Sequence, residues 1–414
     1  MLQIKKETDC CGCASCVQRC PKQCIKMGED AKGFLYPKVD VTSCIDCGLC
    51  EKVCPVINQG NQEVPLKVLA VRNKKEEDRI NSSSGGYFRL LSEHVIDRGG
   101  VVFGASFDKN WEVCHSYTET AEGLQAFMGS KYVQSRIENT FAEAESFLKS
   151  DRMVLYSGTS CQISGLKHFL RKDYDNLFTV EVVCHGVPSP MVWRDYLATI
   201  RQPKGAGDGG NTVSSSLNKT PSIEGISFRD KLNGWKDYCF VVRFSTSSRS
   251  AENNGFSSVN DEEKEIREYH RDNLFMRGFL NNLFLRPICF DCPAKSGKSG
   301  SDFSLADFWA IDRYCPWFND DKGVTLVHIN SKKAVELDQM IDADRVQLKS
   351  NKVYNRSFIL SASHKYDEEA FWAEYSDKKL DCIGPICTTI HPSYIQSLGA
   401  RFRSVVKRFL LSRS

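Results

Sequence analysis

Apolar residues along this chain follow two rhythms. The run LKVLAVRN (66–73) is short, nearly continuous and bounded by polar residues, which predicts a buried strand. After a polar loop ending in NSSSGG (81–86), Phe88, Leu91, Val95 and Ile96 recur at helical spacing, and Gly99-Gly100 supplies a stop. VVFGASF and WEVCHSYTE read as a hairpin around Asp108-Lys109-Asn110. The loop GSKYVQS (129–135) then leads into an amphipathic helix over 137–149.

Residues 153–200 alternate more cleanly: strand MVLYSG, helix CQISGLKHFLRK, strand LFTVEVVC, loop HGVPSP, helix MVWRDYLATI. This βαβ order predicts parallel neighbouring strands joined by a helical crossover. Strands near 226–229 and 238–244 are flanked by two stretches, 203–222 and 245–263, whose Gly, Ser and Asn content reads as flexible loop. VTLVHIN and SKKAVELDQMID add a strand and a helix. The last segment places Ile395, Leu398, Phe402, Val405, Phe409 and Leu410 on one helical face, with Arg401, Arg403, Lys407, Arg408 and Arg413 giving it a basic character.

At 414 residues the chain has room for two or three domains with ordinary cores, so it needs no disulfides to stay folded. The opening residues lack the apolar stretch of a secretory signal, and no run approaches the ~18 apolar residues of a spanning helix. The expected location is therefore the cytoplasm, where clustered cysteines point to metal or redox chemistry. A formal charge of +3 over this length argues against general nucleic-acid binding.

The strongest chemical signal is Cys10-x2-Cys13-x2-Cys16-x3-Cys20-Pro21, which recurs as Cys44-x2-Cys47-x2-Cys50-x3-Cys54-Pro55. Two such runs match the bacterial two-cluster ferredoxin pattern, in which the fourth Cys of each run binds the other cluster. One 4Fe-4S cube is then assigned to Cys10, Cys13, Cys16 and Cys54, the second to Cys44, Cys47, Cys50 and Cys20. Zinc, which also accepts paired C-x2-C clips, fits the full spacing and both Cys-Pro pairs less well. Cys11 and Cys24 fall outside the pattern and read as packing thiols.

In parallel sheets ligands sit off the carboxyl ends of the strands, where both Cys161 and the pair Cys184-His185 fall, so they are expected to face one crevice. Cys161 also stands at a helix start, where the dipole favours a thiolate. The CFDC clip adds Cys289 and Cys292. A third iron–sulfur cluster is the leading reading of these four; zinc, a redox disulfide or simple burial are the alternatives. Clusters move one electron at a time, and a flavin is the usual converter to two-electron chemistry. SSSGG and SGTS, each before a helix, offer backbone N–H groups to a pyrophosphate, with Lys131 as counter-charge. Singly, each such loop reads as a plain turn.

Together, SSGG, GSKYVQS, SGTSCQISGL, CHGVPSP, FRDK, LRPICFDCPAK and SDFSLADFWAID closely resemble, in order, the coenzyme F-420 hydrogenase/dehydrogenase β-subunit family over roughly residues 1–330. The resemblance implies a flavin-containing iron–sulfur oxidoreductase with FAD in the crevice. By matching position it points to Ser84, Gly85, Gly86, Ser130, Lys131, Gly158 and Thr159 as FAD neighbours, and to Cys161, Cys184, Cys289 and Cys292 as cluster ligands. This chain carries Ser160 where members often have Pro, and Ala306 and Ala310 where they often have Gly. The family also includes members that reduce other substrates with ferredoxin electrons, and the N-terminal two-cluster domain suits that group.

The expected fold is α/β, α+β overall. A ferredoxin-like domain with two 4Fe-4S clusters (1–58) is fused to a mixed-sheet α/β FAD-binding catalytic domain (64–330), with a mostly helical C-terminal extension (331–414). The expected function is passage of electrons from ferredoxin or a redox partner subunit through the clusters to FAD and an organic substrate. An electron-transfer subunit with no substrate of its own is the alternative. His185 and Lys131 are the candidate proton suppliers. The C-terminal helix is expected to dock on protein rather than on an anionic membrane surface. Full-length protein and a chain ending near Pro392 are expected to behave alike in liposome flotation; selective flotation of the full chain would show membrane contact.

Overall fold

A computed structural model describes residues 2–201, 222–245 and 265–389. The amphipathic segment 395–410 and nearly all of the two polar stretches lie outside the described residues. At the front, strands β1 (Ile25–Glu29) and β2 (Leu35–Val39) form an antiparallel hairpin. Two short helices, Ser15–Arg19 and Leu49–Lys52, lie beside each other below it. Each follows a left-handed residue, Ala14 (φ 58°) or Gly48 (φ 67°), so the two cysteine runs turn in the same way.

The body is built on one eight-stranded sheet. In chain order its strands begin with β3 (Lys67–Arg72), β4 (Val101–Phe107) and β5 (Val113–Thr118), then β6 (Val154–Thr159) and β7 (Leu177–Val182). A separate three-stranded antiparallel sheet follows: β8 (Ile223–Asp230), β9 (Cys239–Phe244) and β10 (Glu265–Tyr269). The chain returns to the large sheet with β11 (Phe303–Asp307), β12 (Thr325–Ile329) and β13 (Asp344–Gln347). The spatial order is β13-β3-β12-β11-β7-β6-β4-β5. β4, β6, β7 and β11 run parallel, and antiparallel partners close both flanks. The βαβ unit falls where the sequence places it, with helix Ser160–Leu170 crossing from β6 to β7.

Two strands escape the sequence pattern. β11 lies within FSLAD, which is too short to show a period, yet it is central to the sheet and almost fully buried. β13 (DRVQ) is polar because it is an edge strand paired only with β3. The chain after residue 330 therefore contributes to the main sheet before its helices Glu368–Lys378 and Ile383–Thr389 pack on an aromatic core. That core includes Trp193 and Phe275, 5.0 Å apart, and the edge-on pair Phe228 and Phe240.

Front and body are held by polar contacts. Ser15 Oγ donates to Gly165 O (2.8 Å), and Gln18 Oε1 accepts from the backbone N–H groups of Phe141 and Ala142. Gly165 is required for that approach. A Cβ there would sit 2.8 Å from Ser15 Oγ and 2.9 Å from Cys13 Cβ, closer than van der Waals contact allows. Gly165→Ala is therefore expected to lower stability by about 1–3 kcal/mol through overpacking. An anaerobic urea titration checks this, and an unchanged midpoint would mean that the front moves aside freely.

Candidate functional site

Each cysteine run closes a cavity with help from the other. Cys10, Cys13, Cys16 and Cys54 line one, together with Cys11, Ile4 and Met27. Cys44, Cys47, Cys50 and Cys20 line the second, with Cys24, Ile25 and Val39. The structure thus brings together both sets of four. All 19 cysteines are free thiols. The first cavity is the deeper, with Cys13 and Cys16 buried, whereas Cys47 of the second is exposed.

The backbone around both cavities suits an anionic cluster. Gly12 (φ +75°) and Ala14 (φ 58°) take left-handed backbone in the first run, as Asp46 (φ 49°) and Gly48 (φ +67°) do in the second. Left-handed residues of this kind form part of the backbone concavities that bind anions. Gly12 N donates to Cys10 Sγ (3.3 Å) and Asp46 N to Cys44 Sγ (3.4 Å), the same bond in both loops. Burial pushes the Cys10 thiol up to about 11 and raises Cys16 further, so each needs a cationic centre to become a thiolate. Thiols spread around a cavity, rather than converging on a point, fit a cube. Among the described residues no three His, Cys, Asp or Glu side chains are placed to hold a single ion.

Cys161, Cys184, Cys289 and Cys292 come together although three separate segments supply them, and each lies within electrostatic reach of its neighbours. Hydrogen bonding from Cys11 draws Cys161 down to about 6 against the effect of burial, with help from Thr159 and Arg286. Burial pushes Cys184 up to about 12 and Cys292 up to about 11, and it raises Cys289 beyond that. Cys11, which the spacing leaves as a packing thiol, bridges the first cavity to this group by contacting both Cys13 and Cys161. Only its unpaired place beside Cys10 in the sequence marked it.

A cleft of about 280 Å³ opens at the carboxyl ends of β6 and β7. Ser84, Gly86, Ser130 and Lys131 line one side, Gly158 and Thr159 another, and Cys184 and His185 a third. Cys161 turns away from it, drawn toward Cys11, so the expected shared crevice holds Cys184 but not Cys161. Gly85 sits behind the wall, because its N–H donates to Thr325 Oγ1 (2.9 Å) and a Cβ would meet Val71 O at 2.3 Å. Ser83 ties the two loops by accepting from Ser130 Oγ (2.7 Å) and Ser130 N. Lys231, from the FRDK motif, clamps the first loop by donating to the carbonyls of Arg79, Ser84 and Lys322.

Proton-bearing groups around the cleft differ in state. Lys131 Nζ donates to Met128 O (3.1 Å) and Gly129 O (3.3 Å), and burial pulls its amine down to about 7. His115, which no local pattern in the sequence marks, donates from Nε2 to Ser157 O (3.0 Å) and accepts from Ser135 Oγ at Nδ1 (2.6 Å); burial holds it near 4 and therefore neutral. Asn282 Nδ2 donates to Ser363 O (2.9 Å), which turns its Oδ1 toward His185 Nε2. His185 therefore carries its proton on Nε2, and burial lowers its affinity for a second.

The family model of the 4Fe-4S dicluster domain matches residues 9–58, the stretch that builds both thiol cavities. Over 162 residues the chain is 25% identical to a subunit of the F(420)H(2) dehydrogenase of Methanosarcina mazei, covering 37% of this chain and 46% of that protein. These two matches support the resemblance to the coenzyme F-420 hydrogenase/dehydrogenase β-subunit family. Its front is also similar to the 7Fe ferredoxin of Hydrogenibacillus schlegelii, 56% identical over 43 residues, which is 10% of this chain and 49% of that one. The chain spans about half the length of these curated relatives. A solved structure, the xenon-derivatised F-420-reducing NiFe hydrogenase complex from Methanosarcina barkeri, aligns with a TM-score of 0.42 and 14% identity over 70% of this chain and 84% of that one. The front of the chain is a module for two 4Fe-4S clusters. Among the described residues no helix is long and apolar enough to cross a membrane.

A lysine held near 7 reacts as a free amine at neutral pH, unlike an ordinary lysine at ~10.4. Reductive methylation followed by peptide mass spectrometry is expected to half-label Lys131 near pH 7. Labelling that begins only above pH 9 would show that its amine is not desolvated.

Proposed function

We propose that this protein is an iron–sulfur flavoprotein oxidoreductase. It passes electrons from ferredoxin or a partner subunit through 4Fe-4S clusters to FAD, and on to an organic substrate. The observation that carries this reading is continuity. Thiols run from exposed Cys47 through the two cavities and Cys11 to Cys161, which lies within electrostatic reach of Cys184 on the wall of the cleft. Cys161, Cys184, Cys289 and Cys292 would hold a third cluster between the front and the cleft.

The cleft supports FAD by its residue types. Gly86 (φ +83°) opens helix Tyr87–Ile96 and Thr159 caps helix Ser160–Leu170, so two helix starts present N–H groups and positive dipole ends to a pyrophosphate. Gly158 and Gly86 keep the walls low, and Lys131 supplies a cation. FAD bound there would convert single electrons into two-electron transfer. Lys131 is suited to hold the mobile proton, because its amine titrates near neutrality. His185, fixed by Asn282, is suited to orient a substrate oxygen or nitrogen.

A second reading, an electron-transfer subunit with no substrate of its own, is favoured by the name of the M. mazei relative, which is one subunit of a dehydrogenase. Anaerobic purification followed by counting of iron, sulfide and flavin separates the alternatives. Roughly twelve irons, twelve sulfides and one FAD per chain are expected, with reduced ferredoxin bleaching the flavin. Cys184→Ser is expected to lower the iron content by about a third and to slow that bleaching at least ~100-fold. Absence of flavin would overturn the first reading. Reduced protein oxidised only by a partner protein would support the second.

A further inference from the structure

Arg286 is wholly buried, yet none of its hydrogen bonds goes to a carboxylate. Nε donates to Cys10 O (2.8 Å), Nη2 to Leu35 O (2.9 Å) and Nη1 to Gln134 Oε1 (3.1 Å). Gln134 is held in that orientation because its Nε2 donates to Cys11 O (3.1 Å). Phe34 and Tyr36 present their rings to the guanidinium at 5.5 and 4.2 Å. Gly12 leaves it room, since a Cβ there would lie 3.0 Å from Nη1. Among the described residues no carboxylate pairs with it.

A guanidinium cannot shed its proton, and an uncompensated buried charge is strongly unfavourable. Its compensation must come from groups that become anionic. The nearest such groups are the thiols of the first cavity, because Nε is bonded to the Cys10 carbonyl, and Cys161, which packs against the Cys11 whose carbonyl Gln134 holds. Arg286 therefore stands between two thiol sites and belongs to neither.

We propose that Arg286 is the shared counter-charge of the Cys10 cluster and the Cys161 site, a positioning residue that sets both at higher reduction potentials than the outer Cys44 cluster. The inference rests on the cluster assignments proposed above. A cluster gains one negative charge on reduction, and a fixed cation in a low-dielectric setting favours the reduced form. Among the described residues, the cation lining the outer site is Lys22, which is exposed and screened by water, so the gradient leads inward. The donor is the external reductant, and each cluster accepts and passes one electron.

The test is an anaerobic potentiometric titration of the full chain, followed by electron paramagnetic resonance. Arg286→Met is expected to shift the Cys10 cluster toward its oxidised form at least tenfold, which is about 59 mV for one electron, while the Cys44 cluster stays unchanged. Arg286→Lys, which keeps the charge, is expected to stay within about threefold of wild type. Gln134→Glu leaves the arginine in place and neutralises it, and should shift the same cluster in the same direction even where Arg286→Met loses iron. Equal shifts of both front clusters, or no shift with iron retained, would overturn the inference alone. Wild-type protein with no clusters at all would overturn the assignments beneath it as well.

Discussion

The front of the molecule depends on the exchange of one thiol between two segments. Cys54 leaves the second run to complete the first cavity, and Cys20 leaves the first to complete the second. Neither cavity is closed until both runs are placed, so metal loading and folding of this region are one event. Desolvation reinforces the coupling, because buried Cys16 favours its neutral form until a cationic centre arrives. The left-handed backbone at Gly12, Ala14, Asp46 and Gly48 does locally what the thiol exchange does globally, shaping a concavity for charge.

That region is joined to the body by polar groups that would be out of place at an ordinary domain boundary. Ser15, Gln18 and Arg286 form hydrogen bonds with backbone of the opposite part. Such bonds fix distance more sharply than apolar contact does. Fixed distance is what the proposed chain of redox centres would require, with Cys13, Cys11 and Cys161 kept in register.

Much of this was readable in the sequence. The cysteine spacing gave both sets of four directly, because a fixed interval on a tight loop is a geometric statement. The βαβ unit was legible because β6, its helix and β7 each carry a full period of apolar residues. β11 was not, since five residues, four of them buried in succession, have no period to display. Cys11 and Arg286 were also out of reach. Their roles arise from contacts across more than a hundred residues, and nothing local separates a bridging thiol from a packing one. Gly85 shows the reverse limit: a motif position that serves the wall of the cleft and not its contents.

The exposure of Cys47 has a second face. An edge open enough to exchange electrons is equally open to dioxygen, and the outermost cube is the one an oxidant meets first. Damage in air would then proceed from the rim toward the interior, leaving the deeper centres intact but cut off from their supply.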